Sequence, residues 1–268
     1  MTTTDLSTAP GTDGEGRLGA PIFVIGAPRS GTTYLQESLN HHPQIFLTNE
    51  TRVMTFVNRV LHRVGANRWV LMSHRADFLH LLRREMPVLI ERFYVELGAQ
   101  PGVRWGDKNP HYADPHNDPE CLDLIDELFP NAQFIDIVRD GRDVVASIVA
   151  KGWAELDEAI AVWRGHIEHA ASFGQRIASD RYIRIRYEDL RDDGVAVMRR
   201  LMRFLRLDDS AEVEKFVKDQ EEQRTPLSNP TSDLRNSAGG KVRLKSRDVE
   251  RIVEELGPLL AELGYSVL

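Results

Sequence analysis

Residues 21–35 read PIFVIGAPRSGTTYL and combine the patterns of a strand, a loop and a helix. Residues 22–26 form an apolar run typical of a buried strand, and residues 31–40 form a helix pattern that ends before Pro43. Between them lies the loop GAPRSGTT, residues 26–33. A strand, a glycine-containing turn and a helix N-terminus together present several backbone N–H groups and the positive end of a helix dipole. The stretch therefore predicts a phosphate-binding loop.

One position separates this loop from the P-loop that binds ATP and GTP. That P-loop reads GxxxxGK[ST], and its lysine reaches the outer phosphates. Gly26 and Gly31 match the pattern here, but Thr32 stands where the lysine is expected. Arg29 offers instead a planar guanidinium that suits phosphate or sulfate oxygens. The loop is therefore predicted to bind a monophosphate end that carries one more anionic group.

The composition narrows the class of protein. The chain has 268 residues, a formal net charge of −7 and one cysteine, Cys121. The negative charge argues against general nucleic-acid binding, and the lone cysteine fits a reducing compartment. No stretch resembles a signal-peptide core or reaches the ~20 apolar residues of a membrane span. We expect a cytoplasmic protein without a membrane span, with a disordered tail over residues 1–19 and a single domain over residues 20–268.

Five short apolar runs alternate with segments of helical periodicity. The runs cover residues 22–26, 44–47, 103–105, 134–138 and 182–185. Apolar residues recur at spacings of three and four within 56–64, 160–173 and 197–205. Strands separated by helices predict an α/β fold of three layers, with a mostly parallel central sheet flanked by helices. Residues 225–240 predict a long loop, and the last helix, about 247–263, is predicted to break or kink near Gly257 and Pro258.

A second candidate site lies in residues 129–153, FPNAQFIDIVRDGRDVVASIVAKGW. A predicted strand ends at Val138, Arg139 follows it, and the next helix carries Ser147 about two turns from its start. Ser147 is placed to reach back towards the loop after the first strand, and Lys151 lies one turn beyond it. Arg142 and Asp143 are interpreted as surface or helix-start charges.

Acid–base candidates follow two other strands. Glu50 comes after the second strand in LTNETRVM, and Lys108 and His111 come after the third in WGDKNPHY. Ligands of open α/β sheets bind at the carboxyl ends of strands, so these residues should meet Arg29 and Arg139 at one sheet edge. Taken alone, Glu50 fits a helix-capping or surface carboxylate, and His111 fits a loop hydrogen bond. The other histidines lack a convincing third ligand, so we predict no metal.

The segment PRSGTT after an apolar strand resembles the 5′-phosphosulfate loop of sulfotransferases that use 3′-phosphoadenosine 5′-phosphosulfate (PAPS). NETRVM, and LLAELGY near the end of the chain, are similar to segments of tyrosylprotein sulfotransferases. The resemblance implies a P-loop-containing, sulfotransferase-like fold, with PAPS as sulfuryl donor and PAP as product. It implies that Arg139 and Ser147 bind the 3′-phosphate, with Lys151 adding charge. The residues implied to hold the 5′-phosphosulfate are Arg29, Ser30, Gly31, Thr32 and Thr33.

The same resemblance implies roles for the remaining candidates. Glu50 is the implied general base, Arg52 lies near the acceptor, and Lys108 acts with Arg29 on the leaving phosphate. His111 stays an alternative base, because some cytosolic sulfotransferases use histidine. Tyr187 falls in a segment near the adenine. A late loop with Arg235, Gly240 and Lys241 resembles the family's loop over the 3′-phosphate, although Val242 replaces a frequent tryptophan.

Three functions follow from these residues. The first is transfer of a sulfuryl group from PAPS to an alcohol or phenol of an acceptor, expected to be a small molecule. The alternatives are a P-loop kinase for a small molecule and a non-catalytic module that binds PAP. The absent lysine at position 32 disfavours the kinase. We expect neither the paired cysteines nor the membrane anchor of tyrosylprotein sulfotransferases in this chain, so we do not infer a tyrosine acceptor from the resemblance. The oligomeric state is left open, with a homodimer among the options.

Overall fold

A computed structural model describes residues 17–66, 74–223 and 245–267 of the chain. Its strands are β1 (Ile22–Ile25), β2 (Ile45–Asn49), β3 (Arg104–Lys108), β4 (Gln133–Val138) and β5 (Tyr182–Arg186). Its helices are α1 (Thr32–Asn40), α2 (Val53–Ala66), α3 (Arg75–Glu96), α4 (Cys121–Leu128), α5 (Gly141–Ala150), α6 (Leu156–Arg176), α7 (Tyr187–Asp192), α8 (Gly194–Leu205), α9 (Ala211–Gln223) and α10 (Ser246–Glu262). A 3-10 turn, Pro110–Ala113, follows β3.

The five strands form one parallel sheet in the order β2-β3-β1-β4-β5. β1 therefore lies in the middle, and the chain leaves it first towards β2 and β3 and later towards β4 and β5. Such a reversal opens a crevice at the carboxyl ends of the central strands. The predicted α/β class with a parallel central sheet is confirmed. Each of the five strands that the sequence predicted is present.

Alternating side chains of the sheet build a core on each face. In β1, Phe23 packs with Trp105 and Phe134 on one face, where α2, α3 and α4 lie. Ile22 and Val24 point to the other face and pack with residues of α1 and α8. All four residues of β1 are buried, which explains why this strand reads as a continuous apolar run. The apolar faces predicted for α6 and α8 are both buried.

The last helix shows no break at the predicted position. α10 runs without a break through Gly257 and Pro258. Proline removes one backbone hydrogen bond, but Ile252, Leu256 and Leu260 pack against α5 and α6, and this burial holds the helix together. Phe56, which the periodicity placed on the buried face of α2, is instead 67% exposed.

The predicted tail is only partly described. Among residues 17–19, the Gly19 amide donates to the Val103 carbonyl, and the Arg17 carbonyl accepts from Gly102. These residues are therefore tied to the start of β3, although the sequence assigned them to the tail. Residues 1–16, and Arg235, Gly240 and Lys241 of the late loop, lie outside the described residues. No helix in the part of the chain that the structure describes is long and apolar enough to cross a membrane.

Candidate active site

The loop between β1 and α1 forms a tight turn that is closed by a backbone hydrogen bond. Arg29 and Gly31 have φ angles of 73° and 93°, and the Ser30 amide donates to the Ala27 carbonyl over 3.1 Å. Gly31 is the N-cap of α1, and a Cβ atom at this position would lie 2.4 Å from Cδ2 of Tyr187. Glycine is therefore needed here both for its left-handed backbone and for the close approach of an aromatic ring.

The donors of this loop suit an oxyanion. The hydroxyl of Ser30 is fully buried and has no hydrogen-bond partner among the described residues. A buried hydroxyl without a partner is costly unless a ligand supplies an acceptor. Thr32 and Thr33 form the first turn of α1, where the backbone N–H groups have no partner within the helix. The loop therefore has a donor set that fits a phosphate or sulfate group.

Arg139 forms a second cationic corner, where β4 passes into α5. Its guanidinium donates to the Arg29 carbonyl over 3.3 Å and to the Asp143 carboxylate over 3.0 Å. It also lies 4.8 Å from the centre of the Tyr187 ring. The Trp163 indole donates to the Arg139 carbonyl, which fixes the backbone. Nε of Arg139 has no partner among the described residues and can serve a ligand.

Two charges at the start of α5 are buried, which corrects the interpretation as surface charges. Asp143 is 6% exposed and pairs with Arg139. Arg142 is also 6% exposed and pairs with Asp140, the N-cap residue of the helix. Burial raises the pKa of Asp143, and the Arg139 guanidinium opposes that rise. Both residues therefore support the corner from within the protein.

Arg29 connects the two predicted anion sites. Its Nε donates to Oγ of Ser147 over 2.9 Å, and its guanidinium lies 5.5 Å from the centre of the Trp153 ring. Ser147 thus reaches back to the first loop, as the sequence suggested. Lys151 is the exposed C-cap residue of α5 and does not line the same cavity.

Glu50 and Lys108 form a close pair at the ends of β2 and β3. Nζ of Lys108 lies 2.6 Å from Oε1 of Glu50, with the lysine side chain 1% exposed and the carboxylate 41% exposed. The Glu50 amide donates to the Lys108 carbonyl, which continues the strand pairing by one residue. The second oxygen of Glu50 has no hydrogen bond among the described residues. One oxygen therefore neutralises a buried cation, and the other can accept a proton.

A buried carboxylate, Asp107, holds the Glu50 segment in place. It accepts hydrogen bonds from the hydroxyls of Thr48, Thr51 and Tyr112 over 2.8, 3.1 and 2.7 Å. Burial raises the pKa of Asp107, and these hydrogen bonds oppose that rise. Because Thr48 and Thr51 flank Glu50 in sequence, Asp107 fixes the backbone on both sides of it.

His111 bridges Arg52 and Asp114. Its Nε2 lies 3.1 Å from the Arg52 guanidinium and accepts from it, while Nδ1 lies 3.8 Å from the Asp114 carboxylate. Burial acts to raise the pKa of Asp114, but the nearby His111 ring and hydrogen bonds from the Asn117 side chain and two backbone amides lower it below its usual range. The contacts with Arg52 and Asp114 fix the orientation of the His111 ring, with Nε2 directed at Arg52.

These groups surround one cavity of about 510 Å³. Its lining comprises Pro28, Arg29, Gly31, Thr32, Thr33, Tyr34, Glu50, Arg52, Pro110, His111, Arg139, Trp153 and Tyr187. A cavity of about 590 Å³ lies between α2, α3 and α4 and is lined by none of the predicted site residues. Across the described ranges, no cluster of three or more His, Cys, Asp or Glu side chains could hold a metal ion.

The protein-family comparison matches residues 21–211 to the model of the sulfotransferase family. The chain belongs to the sulfotransferase family. Among curated sulfotransferases, it is 28% identical over 270 residues to the protein-tyrosine sulfotransferase of Drosophila melanogaster. That alignment covers 91% of this chain and 51% of the relative. The chain thus spans about half the length of this curated sulfotransferase.

Solved sulfotransferase structures share the fold. The sulfotransferase domain of the curacin biosynthetic pathway has a TM-score of 0.60 at 20% identity, covering 93% of this chain and 99% of that one. A mouse sulfotransferase complexed with PAP has a TM-score of 0.50 at 14% identity, covering 91% of this chain and 88% of that one. The kinase and the non-catalytic module are not favoured by these comparisons.

Most residues predicted for the sulfotransferase site meet at one sheet edge. Ser147 and Lys108 do not line the cavity themselves but bond to Arg29 and Glu50, which do, and Ser30 directly follows Arg29. Tyr187 contacts Gly31 and lies beside Arg139. Asp107 and Trp153 were missed. Asp107 directly precedes Lys108 in a strand that ends at the predicted edge, which is a signal that could have identified it. Trp153 follows the end of α5 and has no comparable signal.

Proposed function

We propose that the protein transfers a sulfuryl group from PAPS to a hydroxyl of an acceptor, with Glu50 as general base. The observation that carries the proposal is the Glu50–Lys108 pair, 2.6 Å apart, at the same sheet edge as the Arg29 loop and the Arg139 corner. Membership of the sulfotransferase family supports the reaction class. The arrangement of the site residues supports PAPS as the donor and the residue roles described in the next paragraphs.

The donor site has room and charge for a nucleotide with two anionic ends. The buried Ser30 hydroxyl without a partner and the first turn of α1 fit the 5′-phosphosulfate. Arg139 and Ser147 fit the 3′-phosphate, and Arg29 lies between the two groups. A cavity of about 510 Å³ is within the range of small-molecule sites. The aromatic ring of Tyr187 lies beside both Gly31 and Arg139.

Charge and proton transfer can be assigned to side chains of this chain. When bound, PAPS would supply the sulfuryl group: the acceptor oxygen would bond to its sulfur, while the bond from sulfur to the bridging phosphate oxygen breaks and leaves the electron pair on that oxygen. Glu50 takes the proton of the acceptor hydroxyl on its second carboxylate oxygen. Lys108 and Arg29 offset the negative charge that develops on the leaving phosphate. Lys108 is buried, so its charge is screened less than that of an exposed lysine.

The acceptor enters, in this proposal, on the side of Glu50 that faces Arg52 and His111. His111 accepts from Arg52, and so it holds the guanidinium at the mouth of the cavity. Trp153, 59% exposed, adds an aromatic surface to the same lining. These groups suit an aromatic hydroxyl with a nearby acidic group, on a small molecule or on a tyrosyl peptide.

The test uses the purified full chain with radiolabelled PAPS and a panel of phenols, alcohols and tyrosyl peptides. We expect transfer to at least one acceptor. The Glu50→Gln variant should keep the affinity for PAP but lower kcat by about 10²–10⁴-fold, the usual contribution of a general base. The matched control is Glu37→Gln, an exposed carboxylate on α1, which should leave kcat unchanged.

Two results would contradict the proposal. Equal turnover by Glu50→Gln and the wild type would remove Glu50 as the base. Failure of PAP to raise the melting temperature, combined with a rise caused by ATP and magnesium, would replace the sulfuryl donor by a nucleoside triphosphate.

A further inference from the structure

Exposed apolar side chains are concentrated on one helix, α3. Among the described residues, eight large apolar side chains are exposed, and six of them lie between residues 81 and 97. They are Leu81, Val88, Leu89, Phe93, Val95 and Leu97, with exposures of 41%, 63%, 57%, 37%, 44% and 45%. Scattered apolar residues are normal on a surface, but a contiguous set marks an interaction site.

Three members of this exposed set, Leu81, Val88 and Val95, lie on the side of α3 opposite the core. Ile90 and Tyr94 are buried against the core, 2% and 0% exposed. Leu81, Val88 and Val95 are spaced by seven residues, and such a spacing keeps side chains within about 20° of one line along a helix. They therefore form a stripe, here named the α3 stripe, which points away from the core.

Charged residues flank the α3 stripe in a definite order. Arg84 and Glu91 lie on one side of it, and Glu85 and Arg92 lie on the other. From the N-terminus to the C-terminus of α3, the first flank changes from basic Arg84 to acidic Glu91. The second flank changes from acidic Glu85 to basic Arg92. Among the described residues, Arg84 bonds only to its sequence neighbour Glu85, and both are more than half exposed.

We propose that the α3 stripe is a self-association surface, on which α3 of a second copy packs antiparallel about a two-fold axis near Val88. In this arrangement Val88 meets Val88 of the partner copy, and Leu81 meets Val95. A two-fold axis across antiparallel helices brings each flank next to the same flank of the other copy. Arg84 then lies beside Glu91 across the interface, and Glu85 lies beside Arg92.

Several observations favour this arrangement. All four flanking charges find an opposite charge, which gives four ion pairs by symmetry. Antiparallel helix dipoles attract each other, and the larger Leu81 is matched with the smaller Val95. Pro87 lies inside α3, one residue before the axis, so a bend there would fall at the centre of the contact in both copies. The helix has 22 residues and is about 33 Å long, enough for a continuous seam.

Sedimentation equilibrium of the full chain should show a monomer–dimer equilibrium.

Cross-linking through introduced cysteines tests the antiparallel arrangement of the two helices. The native Cys121 is buried and does not interfere. Val88→Cys should form a disulfide-linked dimer under mild oxidation, since this residue lies at the axis. Leu97→Cys, at the C-cap of the same helix, is the matched control. Its two copies would be about 27 Å apart along the helix axis, so no disulfide dimer should form.

A charge swap tests the pairing of the flanks. Arg84→Glu places two carboxylates together at two symmetric positions, and the dimer dissociation constant should rise by about tenfold or more. The double variant Arg84→Glu and Glu91→Arg restores opposite charges and should restore dimerisation. A parallel dimer would behave differently, because the guanidinium introduced by Glu91→Arg would then lie beside Arg92 of the partner copy. In that case the double variant would stay weakened.

Three outcomes would overturn the proposal. The first is a chain that stays monomeric at 100 µM or that binds anionic vesicles as a monomer. The second is a dimer whose stability the Arg84→Glu substitution does not change. The third is a disulfide-linked dimer of the Leu97→Cys variant. Thermal unfolding of dilute Arg84→Glu separates weakened association from misfolding, since an unchanged melting temperature shows that the monomer is intact. The surface lies apart from the proposed donor site, so these results do not depend on sulfuryl transfer.

Discussion

Single residues of the site are held in backbone conformations that their side chains do not favour. In the described part of the chain, four residues other than glycine have positive φ angles, and three of them are Arg29, Glu50 and Arg52. Each such residue costs about 1–3 kcal/mol and persists only where its surroundings enforce it. The bonds of Asp107 to Thr48 and Thr51 provide that enforcement beside Glu50. Strain thus coincides with the residues proposed to bind and react.

Gly31→Ala tests the close packing of the phosphate loop. The new Cβ would meet Tyr187 at 2.4 Å, and the φ angle of 93° is unfavourable for alanine. We expect the dissociation constant of PAP to rise at least tenfold, because the loop or the Tyr187 ring must move. Isothermal titration calorimetry measures this change.

Gly65→Ala serves as the control for that substitution. Gly65 lies in α2, has no atom within 4 Å of a Cβ added there and needs no positive φ. Alanine should stabilise the helix by up to about 1 kcal/mol and leave PAP binding unchanged. Equal PAP affinity of Gly31→Ala and the wild type would show that this turn does not hold the ligand.

At the scale of elements, α6 covers one side of the sheet and carries two histidines with altered titration. His166 is 3% exposed, and its Nδ1 donates to the Val162 carbonyl one turn earlier. Burial lowers the pKa of both His166 and His169. The two rings are therefore neutral in the folded protein at pH values where they take up protons in the unfolded chain.

The free energy of unfolding should consequently fall as the pH drops below about 6.5, the ordinary pKa of histidine. The unfolded state binds more protons in this range, so acid favours it. His166→Gln keeps a donor for the Val162 carbonyl but cannot titrate. In this variant the free energy of unfolding should therefore decrease less steeply as the pH falls. Urea unfolding at pH 7, 6 and 5 measures the slope. His80→Gln, an exposed histidine on α3, is the control, and an unchanged slope in His166→Gln would contradict the prediction.

At the scale of the whole molecule, a residue near the end of the described chain supports the proposed donor site. The Tyr265 hydroxyl donates to the Glu188 carboxylate over 2.8 Å, whose other oxygen accepts from the Asp140 amide over 3.1 Å. Asp140 directly follows Arg139, and Glu188 directly follows Tyr187. The segment after α10 therefore braces both sides of the Arg139 corner.

Tyr265→Phe should raise the dissociation constant of PAP about three- to tenfold, the effect of one lost hydrogen bond on the position of Arg139. Tyr182→Phe is the matched control, because its hydroxyl donates to the buried Asp136 carboxylate over 2.7 Å, away from the cavity. Both variants should lose stability to urea, but only the first should lose affinity. Equal affinities in the two variants would limit Tyr265 to a role in stability.

The α/β class, the five strands and the sheet edge at which the candidate residues meet could all be predicted from the sequence. These depend on local periodicity and on the rule that loops after parallel strands share one edge. The partner of each charged side chain, by contrast, became known from the three-dimensional structure. It paired Lys108 with Glu50, turned His111 towards Arg52, and placed Asp143 inside the protein beside Arg139. It also kept α10 helical through Pro258. The Lys108–Glu50 and His111–Arg52 contacts join residues more than 50 positions apart, and the burial of Asp143 and of α10 depends on packing against other elements, none of which local patterns encode.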